Sequence, residues 1–195
     1  VSTQSDDYAR RLVDLENVWW KRLVPVQAPY RWNLRRLRPG FVLDVGCGLG
    51  RNLAHLDGDG VGVDHNGALV AAARHRGLEV YLPAEFHASE HAAPDRFDSL
   101  LAAHLVEHMP PDDAAAVLSE YLPYVRRGGR VIVITPQERG FAADPTHVEF
   151  AGHAEVADLC GHLGLIVARQ YSFPLPRRCG RVFVYNEFVT VAEKR

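Results

Sequence analysis

Val42-Leu43-Asp44-Val45-Gly46-Cys47-Gly48-Leu49-Gly50-Arg51-Asn52 sets the frame for the rest of this chain. The stretch reads as a short buried strand, then a tight turn with glycine at every second position, then the start of a helix. Glycines suit such a turn because, without a Cβ, they take positive φ and let a ligand approach the backbone closely. The N–H groups that open the following helix favour a polar or anionic group. The spacing also excludes two common sites. It lacks the Gly-x-x-x-x-Gly-Lys-Ser/Thr of a phosphate loop and the Gly-x-Gly-x-x-Gly of a dinucleotide fingerprint.

A second strand follows at Gly60-Val61-Gly62-Val63 and ends in Asp64, eighteen residues after Gly46. In a doubly wound sheet, an acid at that tip faces the same crevice as the glycine turn and can bind both hydroxyls of a ribose. The pair points to a ligand that carries a nucleoside.

The run Asp44-x-Gly46-x-Gly48-x-Gly50, led by Val-Leu and followed by Asp64, resembles the S-adenosylmethionine (SAM) signature of the class I methyltransferases. The resemblance spans roughly residues 40–173 and continues toward the C-terminus. It implies an α/β fold: a doubly wound, mostly parallel seven-stranded sheet with an antiparallel last strand, plus an N-terminal helical lid. It implies SAM as cofactor, held at the turn by Asp44, Gly46 and Gly48 and at the ribose by Asp64. At the third strand tip the family's usual Asp-Ala is replaced by Ala84-Glu85-Phe86, and Glu85 becomes the candidate for the adenine amine. His104, at the fourth strand tip, is placed beside the methionine moiety and sulfonium. Arg31 of the lid is a candidate for the methionine carboxylate, with a solvent-facing arginine as the plain alternative. The Asn/Asp-Pro-Pro-Tyr common in methyltransferases of base and glutamine amino groups is absent from the fourth strand end.

The composition narrows the class. A length of 195 residues, 47% hydrophobic and 24% charged, suits one domain, residues 1–195, divided into a helical cap (1–39) and a cofactor-binding core (40–195). The net charge of -2 offers no basic field for nucleic acid. No segment approaches the roughly 20 apolar residues of a membrane span. The first residues resemble no signal peptide. Cys47, Cys160 and Cys179 form an odd, scattered set without zinc spacing, which suits a reducing cytoplasm.

Residues 6–23 carry helical periodicity through Tyr8, Leu12, Leu15, Trp19 and Leu23, and a second helix is expected at Tyr30–Leu37. Further helices are expected at 52–56, at 68–76 with Asn66 as cap, and from Asp112 as cap through Tyr124 to Gly128-Gly129. Residues 83–96 read as a loop. Strands are expected at 78–82, 97–104, 130–135, 165–173 and 181–191, with a helix at 153–161.

Methyl transfer from a sulfonium to an alcohol needs in-line alignment and a base for the hydroxyl proton. His147, in the loop after the fifth strand, is the first candidate, with Asp144 or Glu149 as orienting carboxylate; His104 and His108 are its rivals. His104, Glu107 and His108 also have i, i+3, i+4 spacing, so a divalent metal such as Mg is an alternative, left unassigned. The expected activity is O-methylation of a small-molecule acceptor. The Arg- and Ala-rich chain is similar in character to small actinobacterial sugar O-methyltransferases of methylated polysaccharides. Methylation of protein or RNA and a non-catalytic SAM-binding module are the alternatives. No nucleic acid or membrane partner is expected, and a homodimer is left open.

Overall fold

The computed structural model describes residues 27–195. The helix expected at 6–23, with Trp19 and Trp20, lies outside the described residues. From Ala28 onward the order is α1 (Ala28–Arg36), β1 (Val42–Val45), α2 (Arg51–His55), β2 (Gly60–Val63), α3 (Gly67–His75), β3 (Val80–Tyr81) and α4 (Pro83–His87). There follow β4 (Phe97–Ala103), α5 (Pro111–Tyr121), β5 (Val125–Pro136), α6 (Glu138–Phe141), α7 (His153–His162), β6 (Leu165–Phe173) and β7 (Glu187–Lys194).

The strands form one seven-stranded sheet in the order β3-β2-β1-β4-β5-β7-β6. β1 to β5 are parallel, and β7 lies antiparallel between β5 and β6. This is the doubly wound arrangement expected from the alternation of strands and helices. β1, β2, β4 and the later part of β5 are buried on both faces, as helices on each side of the sheet require. Leu43, Val45, Leu100 and Val133 belong to one apolar cluster, whereas Val42, Leu101 and Ile132 belong to another. That division follows the two-residue period of a strand, which sends successive side chains to opposite faces.

The order reverses between β1 and β4, so a crevice opens at their carboxyl ends, where open α/β sheets bind ligands. α1 packs against the rim of this framework. Leu34 joins the apolar cluster, Arg35 donates to the His55 carbonyl at 2.6 Å, and Trp32 stacks on Phe173 with centroids 6.3 Å apart.

Four local expectations change. Pro111 opens α5, and Asp112 sits in its first turn, where its charge still favours the helix dipole but does not cap it. α5 ends at Tyr121, ahead of a 3-10 turn containing Pro123; Gly128 and Gly129 instead lie in β5, where a register shift separates its first pairing from the rest. The 83–96 stretch contains α4, opened by Pro83. The last strand begins at Glu187 and not Arg181, because Phe183 N–H turns back to the Cys179 carbonyl at 2.8 Å and Asn186 is pulled into the core.

Candidate active site

The end of β1 holds the first part of the site. Asp44 is 1% exposed, and neither carboxylate oxygen has a hydrogen bond. Burial pushes its pKa up to about 7, and Arg51 and Asn52 pull it back without closing a bond of normal geometry. A buried carboxylate with unused acceptors is costly unless something supplies donors. A ligand ammonium would.

The two following glycines do different work. Gly46 has φ +73°, and a Cβ there would stand 2.7 Å from Leu105 Cδ1, so its smallness lets the segment after β4 close onto the turn. Gly48 has φ +55°, and a Cβ there would meet nothing within 4 Å. Its backbone lies against open space that a ligand can enter. Asp64 closes the other side: Oδ2 accepts from Gly48 N–H at 2.8 Å and Oδ1 from Asn66 N–H at 2.8 Å. Asn66 in turn caps α3 by accepting from the N–H groups of Ala68 and Leu69. One carboxylate thereby joins the tips of β1 and β2, with lone pairs left for vicinal hydroxyls. An orphaned carboxylate, an open glycine backbone and a fixed acid together fit the adenosyl amino-acid group that the sequence resemblance implies.

Glu85 and Arg31 stand outside that set. The Glu85 carboxylate is exposed, pairs with Arg74 at 2.5 Å and accepts from Leu82 N–H at 3.0 Å at the start of α4. These contacts hold its pKa below the usual carboxylate range. Arg31 is exposed on α1, and its charge reaches His55 at the end of α2.

His104 has φ +57°, an uncommon conformation for a residue other than glycine. Its ring nitrogens lie 3.2 Å from Glu107 and 3.0 Å from Glu187. Burial alone would lower its pKa, but the two carboxylates outweigh it and bring it to about 9. The two carboxylates favour the charged ring, which makes His104 a poorer base than His108 or His147.

The second part of the site joins the loops after β4 and β5. The Glu107 carbonyl accepts from the N–H groups of Val148 at 2.8 Å and Glu149 at 3.2 Å, which draws the later loop over the earlier one. His108 Nδ1 lies 3.2 Å from both the carbonyl and the hydroxyl oxygen of Thr146. His147 Nδ1 lies 2.8 Å from the Phe141 carbonyl, and the Phe141 ring stacks on it at 5.2 Å. A carbonyl only accepts, so both histidines donate from Nδ1 and keep the lone pair at Nε2. Glu107, His108 and His147 offer ligand atoms within 4.8 Å of one another.

The orienting group of His147 is thus the Phe141 carbonyl, a correction to the expectation that Asp144 or Glu149 would hold the ring. Asp144 Oδ1 accepts from the N–H and the hydroxyl of Thr146, at 2.9 and 2.8 Å. Its carboxylate supports His108 through Thr146. Glu149 is exposed, and its backbone N–H is the part that bonds within this site. The expected metal triplet changes as well: His147 takes the place of His104, which is engaged between Glu107 and Glu187.

Residues 42–129, from β1 into the start of β5, match the family described as Methyltransferase domain. The fold is that of the class I methyltransferases. Its fold is similar to a SAM-dependent methyltransferase from Archaeoglobus fulgidus, at 20% identity and TM-score 0.65, covering 85% of this chain and 93% of that one. Magnesium protoporphyrin IX methyltransferase from Synechocystis with bound SAH is 15% identical at TM-score 0.61, covering 87% of this chain and 85% of that one. A SAM-dependent methyltransferase from Methanosarcina mazei is 16% identical at TM-score 0.57, covering 78% and 91%. Among curated proteins none matches this sequence. Among the described residues, no helix is long and apolar enough to cross a membrane.

Proposed function

We propose that this protein is a methyltransferase that moves the methyl group of S-adenosylmethionine to a hydroxyl oxygen of a small molecule, with sugars and oligosaccharides as the acceptor class to examine first. The donor supplies an activated methyl carbon when bound. Asp44, the open backbone at Gly48 and the Asp64 carboxylate are the groups that would hold it. The chain's remaining task is to align the acceptor and remove its proton.

One observation carries the choice of oxygen. Two imidazoles, His108 and His147, lie with ring centroids 4.9 Å apart and have their Nδ1 atoms committed to backbone carbonyls, so that in the neutral ring the lone pair is at Nε2. An alcohol needs such a base, because it is a poor nucleophile until its proton is taken. Contacts connect these rings to the donor pocket: Leu105 lies on Gly46, and Glu107 and His108 follow it by two and three residues. His147 is the first of the two to assign to the removal of that proton, which must leave as the carbon–oxygen bond forms.

The reading is tested by incubating the protein with S-adenosylmethionine carrying a 13C methyl group and a panel of sugars, phenols, amines, RNA and protein. A new methyl resonance at the chemical shift of an ether, on a small hydroxylated acceptor, is the expected product. Label found only on nitrogen, on RNA or on protein would overturn the acceptor class.

A further inference from the structure

We propose that Glu107, His108 and His147 form a binding site for a divalent first-row transition ion, and that this ion receives the acceptor's hydroxyl oxygen. The inference rests on the O-methylation reading and deepens it: the two imidazoles act through an ion instead of taking the proton themselves.

The ligand set is borderline in hardness, two imidazole nitrogens and one carboxylate. Such a set suits Zn2+, Mn2+, Co2+ or Fe2+ better than Mg2+, which prefers oxygen ligands. The three ligand atoms lie within 4.8 Å of one another. Atoms sharing an ion at about 2.1 Å stand roughly 3–4 Å apart, so a small side-chain adjustment closes the gap.

Two further observations point to an ion. Both imidazoles show the outer contact typical of metal-bound histidine: Nδ1–H donates to a backbone carbonyl, Phe141 for His147 and Thr146 for His108. That contact fixes the tautomer, leaves Nε2 to coordinate and raises its basicity. Glu107 supplies the other observation. Its side chain is 0% exposed, and neither oxygen has a hydrogen bond; His104 Nδ1, at 3.2 Å from Oε1, is an ion-pair contact that it shares with Glu187. One imidazolium shared between two carboxylates leaves most of the acceptor capacity of this fully buried carboxylate unmet, and a cation coordinated by it would meet it.

The three residues leave room for further ligands on such an ion, since three protein ligands are typical of catalytic sites. A hydroxyl oxygen bound there loses its proton to water near neutral pH. The oxygen then forms its bond to the methyl carbon while the carbon–sulfur bond breaks and both of its electrons go to sulfur. The products are the methyl ether, S-adenosylhomocysteine and one proton.

The test uses the full chain stripped with a chelator and titrated with Co2+, followed by visible absorption, with binding of S-adenosylhomocysteine measured in parallel. One Co2+ per chain with absorption bands in the visible is expected. His147→Ala and His108→Ala, each shown folded by circular dichroism, should weaken Co2+ binding at least about tenfold, as loss of a ligand should. Absent bands, unchanged Co2+ binding in both variants, or ready displacement of Co2+ by equimolar Mg2+ would overturn the proposal. S-adenosylhomocysteine binding that persists without Co2+ binding sinks the ion alone. Its absence sinks the methyl-transfer reading.

Discussion

Asp64 Oδ2 accepts a hydrogen bond from Gly48 N–H at 2.8 Å, so the acid that ends β2 holds the turn that follows β1. The contact shapes the pocket before any ligand arrives. A hydrogen bond to a charged group contributes about 1.5–3 kcal/mol. Asp64→Ala, which also removes the acceptor of Asn66 N–H, should weaken S-adenosylhomocysteine binding at least about tenfold. The ligand's thermal-shift titration reads this directly; an unchanged midpoint would detach Asp64 from the cofactor.

Gly46 and Gly48 have similar backbone conformations but different surroundings, and alanine at each should have different consequences. At Gly48 the added methyl enters open space, so stability falls by little more than the left-handed strain of about 1–2 kcal/mol, while cofactor affinity is lost. At Gly46 the methyl meets Leu105 Cδ1 at 2.7 Å, and the overlap adds to that strain. Urea unfolding should therefore rank Gly46→Ala as less stable than Gly48→Ala.

Asp44 makes stability depend on pH. Its folded pKa of about 7 lies above its ordinary value of 3.8, so the folded state binds an extra proton between the two. Stability from this group is present below about pH 4 and is lost as pH rises through about 7. Asp44→Asn should raise the melting temperature more at pH 8 than at pH 5, while weakening S-adenosylmethionine binding at both. Equal effects on melting at the two pH values would contradict the raised pKa.

Asn186 is fully buried, and its amide donates to Gln137 Oε1 at 2.9 Å and accepts from Leu175 N–H at 2.9 Å. Asn186→Ala leaves both partners unpaired and should cost about 1–3 kcal/mol or more, measured by chemical denaturation. Bound cofactor should not restore that loss selectively, since these contacts hold the C-terminal segment to the start of α6.

Much of the fold was legible locally. The glycine turn, the strand ending at Asp64, the Asn66 cap and the bounds of β6 each carry a pattern confined to a few residues. The start of β7 was not. Val182-Phe183-Val184-Tyr185 has strand-like composition, yet Val182 and Tyr185 are exposed, at 78% and 60%, and the chain enters the sheet only after the buried Asn186. That decision is tertiary: the Gln137–Asn186 amide pair outweighs local β propensity.

The candidate site shows the same division. Asp44, Gly48 and Asp64 announce themselves by spacing, whereas His147 meets Glu107 and His108 only because β4 and β5 are neighbours in the sheet. The signal that could have assembled them was topological: both loops leave the carboxyl ends of adjacent parallel strands. The partner of His147 left no trace in the sequence, because any residue at position 141 presents the same carbonyl.

Isothermal calorimetry of S-adenosylmethionine with the wild-type chain tests the central claim most directly. The account predicts saturable binding of one molecule per chain, with S-adenosylhomocysteine competing for the same site. No heat of binding for either compound at concentrations up to about 1 mM, equivalent to an affinity weaker than about -4 kcal/mol, would contradict it.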